Sequence, residues 1–225
     1  QMLQKDIRGI RIGIPREYIE NLSEDMLKMV ERAADQFRQL GCEVMDVSLP
    51  HTKYAIAVYY VLVPCEDSSN QARMEGIRFG PRGSGANLEE AYMQARAAGF
   101  PPEVKRRIMI GAFALSHGYY DAYYKKAQQV RTWMMRDFEE VFNKVDVILA
   151  PTTPGPAFRI GEKVNDPLAM YKEDVFVIPA AVAGLPGLSI PGGFVKNMPV
   201  GIQLIGPRLT EDLVLRVGYH FEQAT

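Results

Sequence analysis

Cysteine is scarce. Cys42 and Cys65 are the only two among 225 residues, so neither a disulfide framework nor a zinc site of spaced thiolates can be assembled, and a reducing, cytoplasmic setting fits best. Histidine is nearly as rare, with His51, His117 and His220 alone. No apolar run approaches the roughly 20 residues that a membrane-spanning helix needs, and no secretory leader is expected. Charge of one sign is not in excess either: 26 Lys and Arg stand against 27 Asp and Glu, a formal net charge of -1. The chain as a whole therefore has no field to draw nucleic acid or an anionic membrane. No internal repeat is visible, and composition nowhere shifts enough to mark a linker, so residues 1–225 are read as part of a single domain.

What is present reads as α/β. The segment IRIGIP is a strand closed by Pro15, Ser23 caps an amphipathic helix through Leu27, Val30, Ala34, Phe37 and Leu40, Gly41 ends it, and CEVMDVSLP is a second strand. Such a strand–helix–strand unit feeds a largely parallel sheet, here expected to be mixed and flanked by helices on both faces. Tyr54 to Arg73 reads as a helix and IRFGPRGSGAN as an exposed loop. DVILAP is a short buried strand with the stiff loop PTTPGPAF at its end, and GLSIPGG and PVGIQLIG are two further strands. Glu211 to Gln223 is a closing helix with Leu213, Leu215 and Phe221 expected inward.

The run from Val104 to Arg131 is the most informative. At helical spacing Arg107, Gly111, Ala114 and Gly118 form a stripe with an anion-binding fork at its head and nothing larger than a methyl group after it. Either a second helix packs close against that stripe or a ligand approaches it. The neighbouring stripe of Ile108, Ala112, Leu115, Tyr119 and Tyr123 is expected to meet the core.

A self-contained hydrolytic apparatus is not evident. There is no G-x-S-x-G elbow, Cys65 and His117 make a thiol dyad only by arbitrary pairing, and Glu66 and Asp67 diverge by roughly 100° on a helix. No residue is assigned as catalytic.

The blocks EDSSNQARMEGIRFG, EVKRRIMIGAFALSHGYYDAYYKKAQQVR, DPLAMYKED, AVAGLPGLSIPGG and PVGIQLIG occur in an order that closely resembles the amidase signature family, and within it the A subunits of glutamyl-tRNA(Gln) amidotransferases. The resemblance spans essentially the whole chain. It implies that residues 1–225 are the C-terminal part of an amidase domain, and that a lysine and two serines which attack the glutamine amide lie in an upstream half with no counterpart here. Such a chain is an enzyme by family, a carbon–nitrogen ligase with glutamine as amido donor, yet without glutaminase activity of its own.

What remains resembles the half that recognises glutamine. A carboxylate is best held by the two parallel bonds of a guanidinium, and an ammonium by an anionic acceptor. The resemblance places Arg107 on the carboxylate, Asp174 on the ammonium and Tyr59 in the pocket wall. Arg107 could instead be a solvated surface residue, and Asp174 could cap a helix beginning near Val175. Ser68, Ser69 and Asn70 match a polar block but are expected to satisfy backbone groups. Pro101, His117 and Ala181 depart from the family pattern. The implied partners are the B and C subunits of the amidotransferase, with tRNA reached through the partner. No cofactor is expected in this chain, since ATP and magnesium belong to the partner. An amidase of other small amides and a stand-alone ligand-binding module are the alternatives. A surface exposed by truncation is expected to self-associate.

Overall fold

The computed structural model describes residues 3–225. In chain order the main elements are β1 (Arg11–Pro15), α1 (Arg16–Ile19), α2 (Glu24–Gln39), β2 (Glu43–Val47), α3 (Ala55–Asn70), α4 (Leu88–Gly99), α5 (Pro102–Ala114), α6 (Lys126–Phe142), β3 (Val147–Pro151), α7 (Pro167–Tyr171), α8 (Ile178–Ala183), β4 (Gly187–Val195), β5 (Met198–Ile205) and α9 (Glu211–Ala224). They fall into two compact units, the first running to Ile56 and resuming at Val130, the second spanning Ala57–Gln129. Both crossings lie inside helices, α3 and α6. That is why no linker composition marks them.

The first unit is built on a five-stranded sheet in the order β2-β1-β3-β5-β4. β1 pairs in parallel with β2 and β3, while β5 runs antiparallel to β3 and β4, so the sheet is mixed as expected. Alternation along the strands sends Ile12, Ile14, Val147, Leu149, Ile202 and Leu204 to one face, where α2 and α9 cover them with Met26, Met29, Phe37, Val217 and Phe221. Ile148, Ala150 and Ile205 point to the other face, against Tyr18, Phe138, Val141, Phe176 and Ala183. Each face therefore has its own core, and β3 is buried along its whole length.

Local signals account for several element ends. The Ser23 hydroxyl accepts from the Met26 amide at 3.4 Å and starts α2. At the head of β1, Arg11 grips Asp146, the residue before β3: its amide donates to Oδ2 at 2.9 Å and its Nη2 to Oδ1 at 2.8 Å, while the Asp146 amide returns a bond to the Arg11 carbonyl at 2.8 Å. This clamp sets the register of β1 against β3.

Two expectations fail. In α9 the inward stripe is Val214, Val217, Gly218 and Phe221, and Leu215 is 49% exposed. At roughly 100° per residue Leu215 cannot share a face with Val214 and Val217. In the second unit the long helix is broken: α5 stops at Ala114, Gly118 turns the chain with φ of +87°, and a π-helical turn covers Asp121–Lys125. The stripe expected to meet the core is thereby thrown outward, with Leu115, Tyr119 and Tyr123 at 36%, 43% and 45% exposure. The small-residue stripe is the packed one instead. Gly111 and Ala114 are buried, and a Cβ on Gly111 would stand 1.8 Å from the Pro64 carbonyl oxygen of α3. At Gly111 close helix packing is thus the alternative realised, whereas Gly118 faces open space.

Two glycines in one stripe should therefore respond differently to the same change. Gly111→Ala should destabilise the second unit by about 2–3 kcal/mol, because backbone must retreat from backbone. Gly118→Ala should cost about 1–2 kcal/mol through its left-handed φ alone. Urea titration of the two variants should rank them in that order. The Arg11 hydrogen bonds hold the Asp146 carboxyl below its ordinary value of 3.8. The stabilisation is then complete above that value and is lost as pH falls through the lower, folded-state one. The stability advantage of wild type over Asp146→Asn should accordingly be flat at neutral pH and shrink on acidification below that point, as urea titrations across the acid range will show.

Candidate functional site

In the second unit the first turn of α5 gathers charge. Pro101 adopts an extended conformation ahead of Pro102, whose fixed φ suits a helix start, so Glu103 lies in the first turn. Its carboxylate accepts from Arg107 Nε at 3.0 Å and also pairs with Arg106. The two arginines leave the helix roughly 100° apart, yet both fold back on this one acceptor. Arg107 is the more enclosed, its side chain 26% exposed against 45% for Arg106.

α3 supplies the rest of the Arg107 surroundings. The guanidinium lies 5.7 Å from the Tyr60 ring centroid, and the neighbouring Tyr59 side chain helps to raise its pKa. Tyr59 and Tyr60 meet edge to face with centroids 5.1 Å apart. Partial burial opposes the Arg107 charge, but the bond with Glu103 and the influence of Tyr59 outweigh it and push its pKa up. Glu103 is likewise opposed by burial and drawn below the usual carboxylate range by Arg107 and Arg106. Arg107 and Tyr59, singled out from the sequence, therefore stand together. Glu103 and Tyr60 were not foreseen, although a glutamate three and four residues before two arginines is a readable helical signal.

Asp174 belongs to the first unit. It closes the 3-10 turn Lys172–Asp174 and is exposed. No helix begins near Val175: α8 starts at Ile178 and is preceded by Val177, which has no side-chain cap. The Asp174 backbone carbonyl accepts from the Val177 amide at 3.1 Å. Ala181 is exposed on α8.

The remaining candidates resolve into structure. Cys65 is buried and its thiol is directed at the Gly111 carbonyl, 3.9 Å away, not at His117. The Ser68 hydroxyl donates to the Cys65 carbonyl at 2.9 Å, and Asn70 Oδ1 accepts from Arg73 at 2.6 Å. His51 and Asp137 form an unforeseen pair, Nδ1 to Oδ1 at 2.8 Å, with the His51 amide on Oδ2 at 2.8 Å. Asp137 thereby fixes the orientation of that ring beside Trp133. Among the described residues no cluster of His, Cys, Asp or Glu is placed to hold a metal ion, and no helix is long and apolar enough to cross a membrane.

A model of the Amidase family matches residues 1–215. The chain belongs to the amidase family. It is 53% identical over its whole length to the A subunit of glutamyl-tRNA(Gln) amidotransferase from Geobacillus sp. (strain WCH70), of which it covers 47%, and 50% identical to the protein of the same name from Thermodesulfovibrio yellowstonii, again covering 47%. The chain thus spans about half the length of the curated relatives it matches. The crystal structure of the Thermotoga maritima counterpart superposes with a TM-score of 0.72 at 39% identity, over 96% of this chain and 42% of that one. A bacterial aryl acylamidase of the amidase signature family, at 22% identity and a TM-score of 0.71, shares the fold.

The amidase chain offers no activated thiol. Burial pushes Cys42 up to about 11 and raises Cys65 as well. Iodoacetamide at neutral pH should leave both unmodified in the folded protein and label both after denaturation, as intact mass will show.

Proposed function

We propose that this chain is the glutamine-recognising part of the ammonia-supplying subunit of a tRNA-dependent amidotransferase, one that converts Glu-tRNA(Gln) to Gln-tRNA(Gln). Arg107, steadied by Tyr59, takes the carboxylate of glutamine, and Asp174 takes its ammonium. The observation that carries this reading is the state of Arg107. It is a guanidinium three-quarters withdrawn from water, lying against the Tyr60 ring and paired with Glu103, in a chain half-identical to amidotransferase A subunits. An arginine that served only solubility would have no reason to be so enclosed.

Hydrolysis itself is assigned to a lysine and two serines outside these residues. The two thiols do not replace them, being buried and unactivated. The chain alone is therefore inactive as a glutaminase. Ammonia released by the complete protein passes to the B subunit, with the C subunit in the same assembly, and the partner uses ATP and magnesium to activate the tRNA-bound glutamate. Exposed Met109, Ile110, Phe113 and Tyr119 on the second unit are apolar surface for such partners, or for a second copy of this chain.

The decisive measurement is glutamine binding by calorimetry, joined to an ammonia-release assay. Arg107→Ala should weaken binding by at least about thirtyfold, since a partly desolvated charge pair loses one member. Arg107→Lys should recover only part of it, because an ammonium cannot reproduce the planar fork. No ammonia should appear with either protein. Unchanged affinity in Arg107→Ala would remove glutamine as the ligand, and turnover by the wild-type chain would remove the division of labour.

A further inference from the structure

Asp174 is an exposed side chain on a short turn within a segment, residues 152–177, that contributes no strand to the sheet. Exposed turns of that kind are usually mobile. This one is fastened on both sides of the aspartate. Immediately before it, Glu173 is paired with Lys163, ten residues earlier, and both side chains are well withdrawn from solvent, at 22% and 19% exposure. Lys163 also lies 4.5 Å from the Phe158 ring centroid, which fixes the other end of the ion pair. Two residues after Asp174, the Phe176 carbonyl accepts a 2.7 Å hydrogen bond from Gln203 Nε2. The same amide donates to the Pro151 carbonyl at the end of β3, at 3.0 Å. Gln203 is only 4% exposed, so its two donors are committed to these two carbonyls in a place where water cannot substitute. The Phe176 ring adds a packed contact, 5.3 Å from Tyr18.

We propose that Lys163 and Gln203 are positioning residues for Asp174, holding its carboxylate in the one orientation that meets the ammonium of the bound amino acid. This rests on the glutamine reading given above. The physical gain is preorganisation: ordering of the turn is completed during folding, so it does not weaken the binding of a small ligand. Neither residue touches the ligand. Their effect is transmitted through Glu173 and the Phe176 carbonyl, and so must be specific to the ammonium end.

That specificity supplies the test. The wild-type chain, Lys163→Met and Gln203→Met are titrated with glutamine and with 4-carbamoylbutanoate, the same molecule without its α-ammonium, while amide hydrogen exchange is followed over residues 172–177 and over β1 and β3. Wild type should prefer glutamine by at least about tenfold. Each variant should lose most of that preference while binding 4-carbamoylbutanoate within about twofold of wild type. Exchange over 172–177 should accelerate, with β1 and β3 unchanged, which separates a loosened turn from a damaged sheet. Lys163→Met, whose change is confined to the loop, keeps the test open should Gln203→Met unfold. Variants that keep the full preference for glutamine, or that leave exchange over 172–177 at the wild-type rate, overturn the inference. A wild-type chain that binds both molecules equally, or neither, defeats the glutamine reading instead, and exchange still decides whether the two anchors hold the turn.

Discussion

Strand β3 has no face left for water, and the first unit is arranged around that fact. All five of its residues are buried, with Ile148 and Ala150 committed to one core and Val147 and Leu149 to the other. A backbone so placed must find every hydrogen-bond partner within the protein. It does so through parallel β1 on one side and antiparallel β5 on the other. The Arg11–Asp146 clamp fixes where that pairing starts, by committing a carboxylate and a guanidinium to the single residue before the strand. The mixed character of the sheet follows. β1 and β3 are joined by a long excursion, as parallel neighbours require, whereas β4 and β5 are joined by a tight hairpin at Lys196 and Asn197.

The same strand launches the long loop that carries Asp174. Where β3 ends at Pro151 the chain leaves the sheet for a loop rich in proline and glycine, and it returns through α8 to β4. Long loops at strand ends are where binding groups collect, because a rigid frame can hold side chains that have no packing role of their own. Gln203 shows how the frame reaches the loop. It occupies a position on β5 where its neighbours on the strand, Ile202 and Leu204, are fully buried, and it directs its amide to two backbone carbonyls, Pro151 at the end of β3 and Phe176 in the loop. A buried amide in an apolar sheet is costly unless both donors are matched. Here the matching is what ties the loop down.

Much of this was legible because it is local. IRIGIP, CEVMDV, DVILAP and PVGIQLIG carry strand patterning in a few residues, and Ser23 announces α2 by the capping bond it then makes. Arg107 and Tyr59 could be named, and they meet, because a guanidinium heading a stripe of small residues is an unusual sequence feature and the family resemblance points the same way. The failures are of two kinds. Leu115, Tyr119 and Tyr123 were turned inside out because helical phase was carried past Ala114, where α5 ends, across the turn at Gly118 and through a π-helical turn that shifts it again. Gln203 and the His51–Asp137 pair were missed because their partners are remote in sequence, up to 86 residues away, and some are backbone carbonyls that no side-chain pattern can report, and Lys163 was missed because its partner, ten residues on, is reached across a loop with no periodicity to align the two. Division into two units was hidden for a simpler reason: a chain that crosses within α3 and α6 has no linker to read.

Why two guanidinia should share one carboxylate in the first turn of α5 is a question of geometry and charge. Geometry supplies part of the answer. Glu103 engages Arg107 through Nε at 3.0 Å while the guanidinium lies 5.7 Å from the Tyr60 ring centroid, so the side chain is held from two directions. Charge supplies the rest. Arg106 shares the same Glu103, so one carboxylate offsets part of the charge of both arginines. Had neither arginine a partner, two adjacent cations near α5's first turn would repel each other and would sit at the wrong end of the helix dipole. One carboxylate between two guanidinia eases that repulsion and holds Arg107 in a fixed pose against Tyr60.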